Sequence, residues 1–381
     1  MKFKIVRSKF LEGLKKVQNI VASKGTMQIL QNVLIEAKDK QLMLTTTDLD
    51  ISIRSEIACE VESEGATTLP VKLLFNVVSK AAEGPVEVNV DAQDRAVINA
   101  GTATFKLAGM SVVDYPALPV DQNTFEYVLP QITLKEMLRK TAYAVSQDDT
   151  RKTLKGVLSS FKDGKLTMVA TDGRRLALVE HEIELPADAE RDVILPSKVV
   201  GELQRSLTSD GDVRITIEKT QIAFNLGDTR IYSKLLDEVY PNYRQVIPAE
   251  CAEHIVVDRQ LLLAALDRAS VMMFEDTNST KLIFDSNQLI VTATATEVAE
   301  STDVVPIKYD GARIEIVFNP NYVMDPLKAI DEDEVTIELN DGTKPAMIKC
   351  SIPFLYVMMP LRVSCSAPCH PKEGCHETLD G

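Results

Sequence analysis

The stretch TMVATDGRRLALVE, residues 167–180, sets a carboxylate, a glycine and two guanidinium groups in a row. Asp172 has general acid or base capacity, while Arg174 and Arg175 supply rigid planar donors suited to carboxylate or phosphate. An Asp-Gly pair between short apolar runs predicts a hairpin with a tight two-residue turn, because both residues tolerate a positive φ. Such an Asp is ordinarily a turn former, but a turn needs no arginines, which makes Arg174 and Arg175 candidates for recognition. A second cluster lies in the final segment VSCSAPCHPKEGCHETLDG, residues 363–381. Cys365, Cys369, His370, Cys375 and His376 are enough soft ligands for one tetrahedral zinc, yet their spacing fits no standard finger. A disordered, redox-sensitive tail accounts for the same residues, so no metal site is assigned. His181 and His254 stand in acidic contexts without a Ser or Cys neighbour. The sequence also lacks a Walker A loop, a Gly-x-Ser-x-Gly elbow and a His-Glu-x-x-His helix. No enzyme activity and no cofactor are expected.

The elements that must position these residues recur. Amphipathic helices begin near Ser8 (SKFLEGLKKVQNI), Thr133 (TLKEMLRKTAYAVS) and Asp258 (DRQLLLAALDRASVM). In the first, Phe10, Leu14, Val17 and Val21 fall on one face at helical spacing. Strand-like alternation follows each, in QLMLTTTDLDISIRSEI, KLTMVATDGRRLALVEHEI and QLIVTATATEVAESTDV. Second helices start near Pro70, Pro196 and Pro320, then come the strands VEVNV, DVRITI and EVTIEL. Thr47-Asp48 matches Thr171-Asp172, and Tyr115-Pro116 matches Tyr240-Pro241. The expected architecture is three tandem α+β domains, 1–125, 126–250 and 251–362, followed by the tail 363–381. Repeat one continues TTTDLDISI and repeat three TATATEVAE, so only repeat two carries Gly173-Arg174-Arg175.

The 381-residue chain is long enough for two or three domains, and its 45% apolar and 26% charged residues are those of a globular protein. Nothing approaches the roughly 18 consecutive apolar residues of a membrane span, and the N-terminus lacks a secretory apolar run. A cytoplasmic location is expected. Cys59, Cys251 and Cys350, far apart in apolar or strand-like contexts, are read as reduced core cysteines. The net charge of −14 argues against nucleic acid until its distribution is considered. The six helices carry 13 Lys and Arg against 6 Asp and Glu, a net of +7, so the rest of the chain holds −21. Basic residues on solvated helix faces are common, but the same bias across repeated helices sets a basic surface against an acidic body. With no finger, basic zipper or RNP pattern, no Trp and 5% aromatics, that surface suits the backbone of double-stranded DNA rather than a base sequence or a single strand.

The three repeats, TDGRRLA and YPNYRQVIP in the second, and YVMMPLR near the end together resemble the bacterial sliding clamps, the β subunits of DNA polymerase III. The likeness runs from residue 1 to about 362. It implies clamp-type domains of two helices on antiparallel sheets, paired head to tail as a homodimer into a six-domain ring around double-stranded DNA. It also implies a pocket for short linear segments of the replicative polymerase, the clamp loader and repair proteins. Transferred by motif, the pocket would be lined by Leu154, Thr171, Gly173, Arg174, Arg175, Leu176, Pro241, Val246, Val357, Met358, Met359, Pro360, Leu361 and Arg362. Of these, Met358, Met359, Pro360 and Leu361 are expected to present exposed, adaptable apolar surface. Lys24, Arg151 and Lys198 are implied as DNA contacts, and Phe105, Val271 and Met272 as the dimer interface. Arg174 and Gln245 depart from the common pattern of His and Arg. A peptide-binding scaffold that forms no ring is the rival reading.

Overall fold

The structure, a computed structural model, describes residues 1–21, 27–118, 125–185, 189–272, 279–295, 299–351 and 353–361. Lys24, Arg362 and the tail 363–381 lie outside the described residues.

Six α-helices carry the repeat: α1 (Arg7–Val17), α2 (Val71–Lys80), α3 (Gln131–Thr141), α4 (Ser197–Ser206), α5 (Arg259–Ser270) and α6 (Pro320–Ala329). They pack as the pairs α1 with α2, α3 with α4 and α5 with α6. The predicted apolar face of the first helix is the buried one, with Phe10, Leu14 and Val17 at 0% exposure. Truncating Phe10 to Ala would cost about 3–5 kcal/mol, because a packed core does not collapse around so large a gap.

Each first helix follows directly on a strand, Lys2–Val6, Phe125–Pro130 or Glu253–Asp258. Pro70, Pro130 and Pro196 are the N-cap residues of α2, α3 and α4, one place before the first turn in which proline was expected. A ring-fixed φ near −57° serves the end of a strand and the start of a helix alike. α5 and α6 are capped by side chains: Asp258 Oδ1 accepts from Leu261 N at 2.8 Å, and Asn319 Oδ1 from Asn321 N at 3.0 Å.

Contacts divide the chain into two compact units, Met1–Ile247 with Cys350–Val357, and Pro248–Lys349 with the residues from Met358 on. The first unit holds two repeats. One five-stranded antiparallel sheet contains Lys2–Val6 and ends on the edge strand Ala103–Ala108. An eight-stranded sheet runs through both repeats, because Ile51–Ala58 of repeat one pairs with Thr229–Lys234 of repeat two, Ile53 opposite Ile231. Three ion pairs tie this seam: Lys16 to Asp228 at 2.7 Å, Lys234 to Asp50 at 3.0 Å, and Lys198 to Asp48. The strand Arg175–Glu182 lies between Lys165–Thr171 and Phe354–Met358. In the second unit, α5 and α6 accompany the sheet formed by Ala299–Pro306, Gln288–Ala295, Thr280–Asp285 and Ile314–Phe318, and Glu253–Asp258 pairs with Glu334–Leu339. The fold is thus the expected one of helix pairs on antiparallel sheets.

Cys59, Cys251 and Cys350 are half-buried rather than core residues. They occupy connections at strand ends, where the chain leaves the packed layers.

Candidate functional site

The predicted hairpin is present, but its turn is wider than two residues. Thr171 pairs with Leu176 and four residues, 172–175, connect them. Only Gly173 is left-handed, at φ +85°. The loop is built on side chains. Thr171 Oγ1 donates to Arg175 O at 2.6 Å and accepts from Gly173 N at 3.0 Å. Asp172 Oδ1 accepts from the backbone N–H of Arg174 and Arg175 at 2.9 and 3.0 Å. Asp172 is therefore committed as a turn former, which explains why a tighter turn is not needed.

Repeat one contains the same device. Thr47 Oγ1 donates to Ile51 O at 3.1 Å and accepts from Leu49 N at 3.1 Å, while Asp48 Oδ1 accepts from Asp50 N and Ile51 N at 3.0 and 2.9 Å. Leu49 takes the left-handed place at φ +80°. The Thr-Asp turn is a property of the fold, and the arginines are an addition to it in repeat two.

The two arginines differ from each other. Arg175 is inside: its side chain is 11% exposed, its Nε donates to Asp172 Oδ2 at 3.0 Å, and its Nη2 donates to Tyr143 O at 2.6 Å. Its guanidinium also stands 5.7 Å from the Tyr143 ring centre. The expectation of two rim arginines is corrected: Arg175 braces the turn, and Arg174 is the exposed one. Arg151 joins them by donating from Nη1 to Asp172 O at 2.9 Å. A Cβ at residue 173 would lie 2.6 Å from Arg151 Nη1, so glycine is required there for room as well as for its φ.

Around this turn Leu154 and Tyr240 are half-buried, Thr171 and Leu176 are buried, and Pro241 and Gln245 are exposed. Val246 is 50% exposed. Burial pushes the Tyr240 hydroxyl well above the usual tyrosine range. Along the last strand the expectation of four exposed apolar residues is corrected. Met358 is fully buried, as is Val357, whereas Met359 is 43% and Leu361 38% exposed and Pro360 is half-buried. Alternation along a strand accounts for Met358 and Met359 going opposite ways.

As bounded in the structure, the helices carry 14 Lys and Arg against 5 Asp and Glu. α1 and α4 face a common hollow of about 360 Å³ lined by Lys15, Lys16 and Arg205 together with Glu12, Glu202 and Asp228. Lys15 is exposed, and the acids hold the others: Lys16 pairs with Asp228, and Arg205 Nε with Glu202 at 3.1 Å. Lys198 is half-exposed and paired with Asp48, and burial holds its ammonium pKa below the usual lysine value. Sequence reasoning missed these carboxylate partners, which lie far away along the chain.

Phe105 is half-buried on the edge strand Ala103–Ala108, opposite Ile98. Val271, just past α5, is 74% exposed, and Met272 is half-buried. His254 Nδ1 lies 3.2 Å from Glu338, which also holds Lys349 at 2.8 Å. Burial raises the Cys251 thiol, the reverse of what a nucleophile needs. Among the described residues no cluster of His, Cys, Asp and Glu is arranged to hold a metal, and no helix is long and apolar enough to cross a membrane.

With this geometry in view, the chain was compared with known proteins. It matches the DNA polymerase III beta subunit N-terminal domain over residues 1–119, the central domain over 128–242 and the C-terminal domain over 244–362. The chain belongs to the DNA polymerase III beta subunit family. It is 34% identical over 370 residues to the beta sliding clamp of Escherichia coli strain K12, covering 95% of this chain and 100% of that one. It is likewise 34% identical over 363 residues to that of Chlamydia trachomatis, covering 95% and 87%. Among solved structures, a sliding clamp from Bartonella birtlesii bound to griselimycin superposes with a TM-score of 0.91 at 34% identity, covering 95% of this chain and all of that one. One from Bacillus subtilis gives 0.91 at 29%, covering 95% and 99%. The chain's function is accordingly that of a DNA sliding clamp, the processivity factor of the replicative polymerase.

Proposed function

We propose that two copies pair head to tail into a ring around double-stranded DNA, Phe105 of one copy meeting Val271 and Met272 of the other. A ring holds DNA by topology, so weak phosphate contacts suffice and tight ones would slow sliding. Lys24, Arg151 and Lys198 supply such contacts. The pairing of Lys16, Lys198 and Arg205 with acids supports this reading, since it tempers the basic helices. The domains are 1–125, 126–250 and 251–362, and the protein works in the cytosol without catalysing a reaction.

The partners beyond DNA are the polymerase, the clamp loader and repair proteins. They dock short segments on Leu154, Thr171, Gly173, Arg174, Arg175, Leu176, Pro241, Val246 and the run from Val357 to Arg362. One observation carries this: the same Thr-Asp turn stands in repeats one and two, but only the second bears arginines. Arg174 is the charged contact, held in place by Asp172 and Arg175, while Met359 and Leu361 offer apolar surface.

Arg174→Ala combined with Met359→Ala should weaken binding of a polymerase C-terminal peptide at least tenfold without changing the melting temperature; unchanged affinity would remove the assignment. Phe105→Arg should yield a monomer at micromolar concentration by sedimentation. The ring itself is tested by loading on nicked circular DNA. Retention that ends when the circle is linearised supports it, and retention on linear DNA argues for ordinary binding.

A further inference from the structure

In repeat one, α1 is closed against the strand Ile51–Ala58 by Ile57. A Cβ added to Gly13 would meet Ile57 Cδ1 at 2.1 Å, so the isoleucine lies directly on the helix backbone. Ile57 stands opposite Leu42 in the sheet. The corresponding places in repeat two hold Met137 on α3 and His181 on the strand Arg175–Glu182, with His181 opposite Leu166 in the same register. Met137 is buried and His181 is exposed, so nothing replaces the isoleucine.

A hollow of about 250 Å³ remains there, with Ile132, Met137, Val179 and Pro353 in its lining. Ile132, in the first turn of α3, is 40% exposed. The charges at the rim cancel. Glu136 accepts from Arg139 Nε at 3.1 Å and lies 3.7 Å from Lys140, and Glu180 lies 3.3 Å from Lys165. A neutral apolar group complements such a rim, because an added charge would lose hydration and find the opposite charges already matched.

We propose that this hollow takes one branched aliphatic side chain, best an isoleucine, from a neutral peptide segment of a protein partner. The group enters from outside where Ile57 of the chain itself fills the counterpart in repeat one. The site differs from the Thr171–Arg175 turn in elements and in chemistry, since it selects for shape without charge.

The test uses the full chain labelled with 13C at methionine methyl groups, the Met137 signal being assigned from a Met137→Leu variant. The probe is acetyl-Gly-Ile-Gly-amide, with acetyl-Gly-Ala-Gly-amide as control. The Met137 signal should shift saturably in the millimolar range with the isoleucine peptide, and at least fivefold more weakly with the alanine peptide. His181→Ile should weaken the response at least fivefold by filling the hollow from within, and Ile132→Ala by removing a wall. No saturable shift, equal response to both peptides, or undiminished binding in folded His181→Ile and Ile132→Ala would each overturn the proposal.

Discussion

The twin turns allow a substitution and its control within one molecule. Asp172→Ala removes the acceptor of two backbone N–H groups and of the Arg175 guanidinium, which is 11% exposed and keeps only part of its company. A hydrogen bond to a charged group contributes about 1.5–3 kcal/mol, and stripping a partly buried cation of its carboxylate adds to that. Because the bonds share one carboxylate and Arg175 retains Tyr143 O, the local loss should be about 3 kcal/mol rather than the sum. Asp48→Ala removes the same two backbone bonds, but its cationic partner Lys198 is 52% exposed, and a bridge of that kind contributes about 0–1 kcal/mol. About 1.5 kcal/mol is expected there. Amide exchange reads both values: opening at Gly173–Leu176 should quicken roughly 100-fold in Asp172→Ala, and at Leu49–Ile51 roughly tenfold in Asp48→Ala, at 1.4 kcal/mol per decade. Peptide affinity should fall only in Asp172→Ala. Equal exchange in the two turns, or lost peptide binding in Asp48→Ala, would refute the division between a shared scaffold and an added recognition group.

Other consequences are simpler. Gly156→Ala should destabilise by about 1–3 kcal/mol in urea unfolding, because its Cβ would come 2.5 Å from Leu195 O, a backbone atom of a paired strand that has nowhere to move. The Cys59 thiol, raised by burial, should react with iodoacetamide at pH 8 more slowly than a free cysteine, and equally fast reaction would contradict its environment. Asp341 accepts from Thr343 Oγ1 and from the backbone N–H of Thr343 and Lys344, which lowers its pKa from 3.8 to about 2. A lowered carboxylate stabilises the fold above pH 3.8 and loses that contribution as pH falls toward 2. Asp341→Asn should therefore flatten the dependence of the urea midpoint on pH across that window alone.

Much of this was legible in the sequence because the relevant signals are local. Apolar spacing at Phe10, Leu14 and Val17 specified the buried face of α1, and prolines 70, 196 and 320 marked helix starts, since side-chain periodicity and a locked φ act within a turn of the chain. Repetition did the rest: the missing arginines of repeat one pointed to a special role in repeat two before any coordinate was known. What the sequence left undecided depends on groups remote along the chain. Whether an arginine faces solvent or props a turn is decided by what stands over it, here the Tyr143 carbonyl for Arg175 and nothing comparable for Arg174. Asp48 holding Lys198 across 150 positions, and a gap beside Met137 where Gly13 has an isoleucine, likewise arise only on packing. Periodicity tells a residue which way to point, but only the assembled layers decide what it meets there.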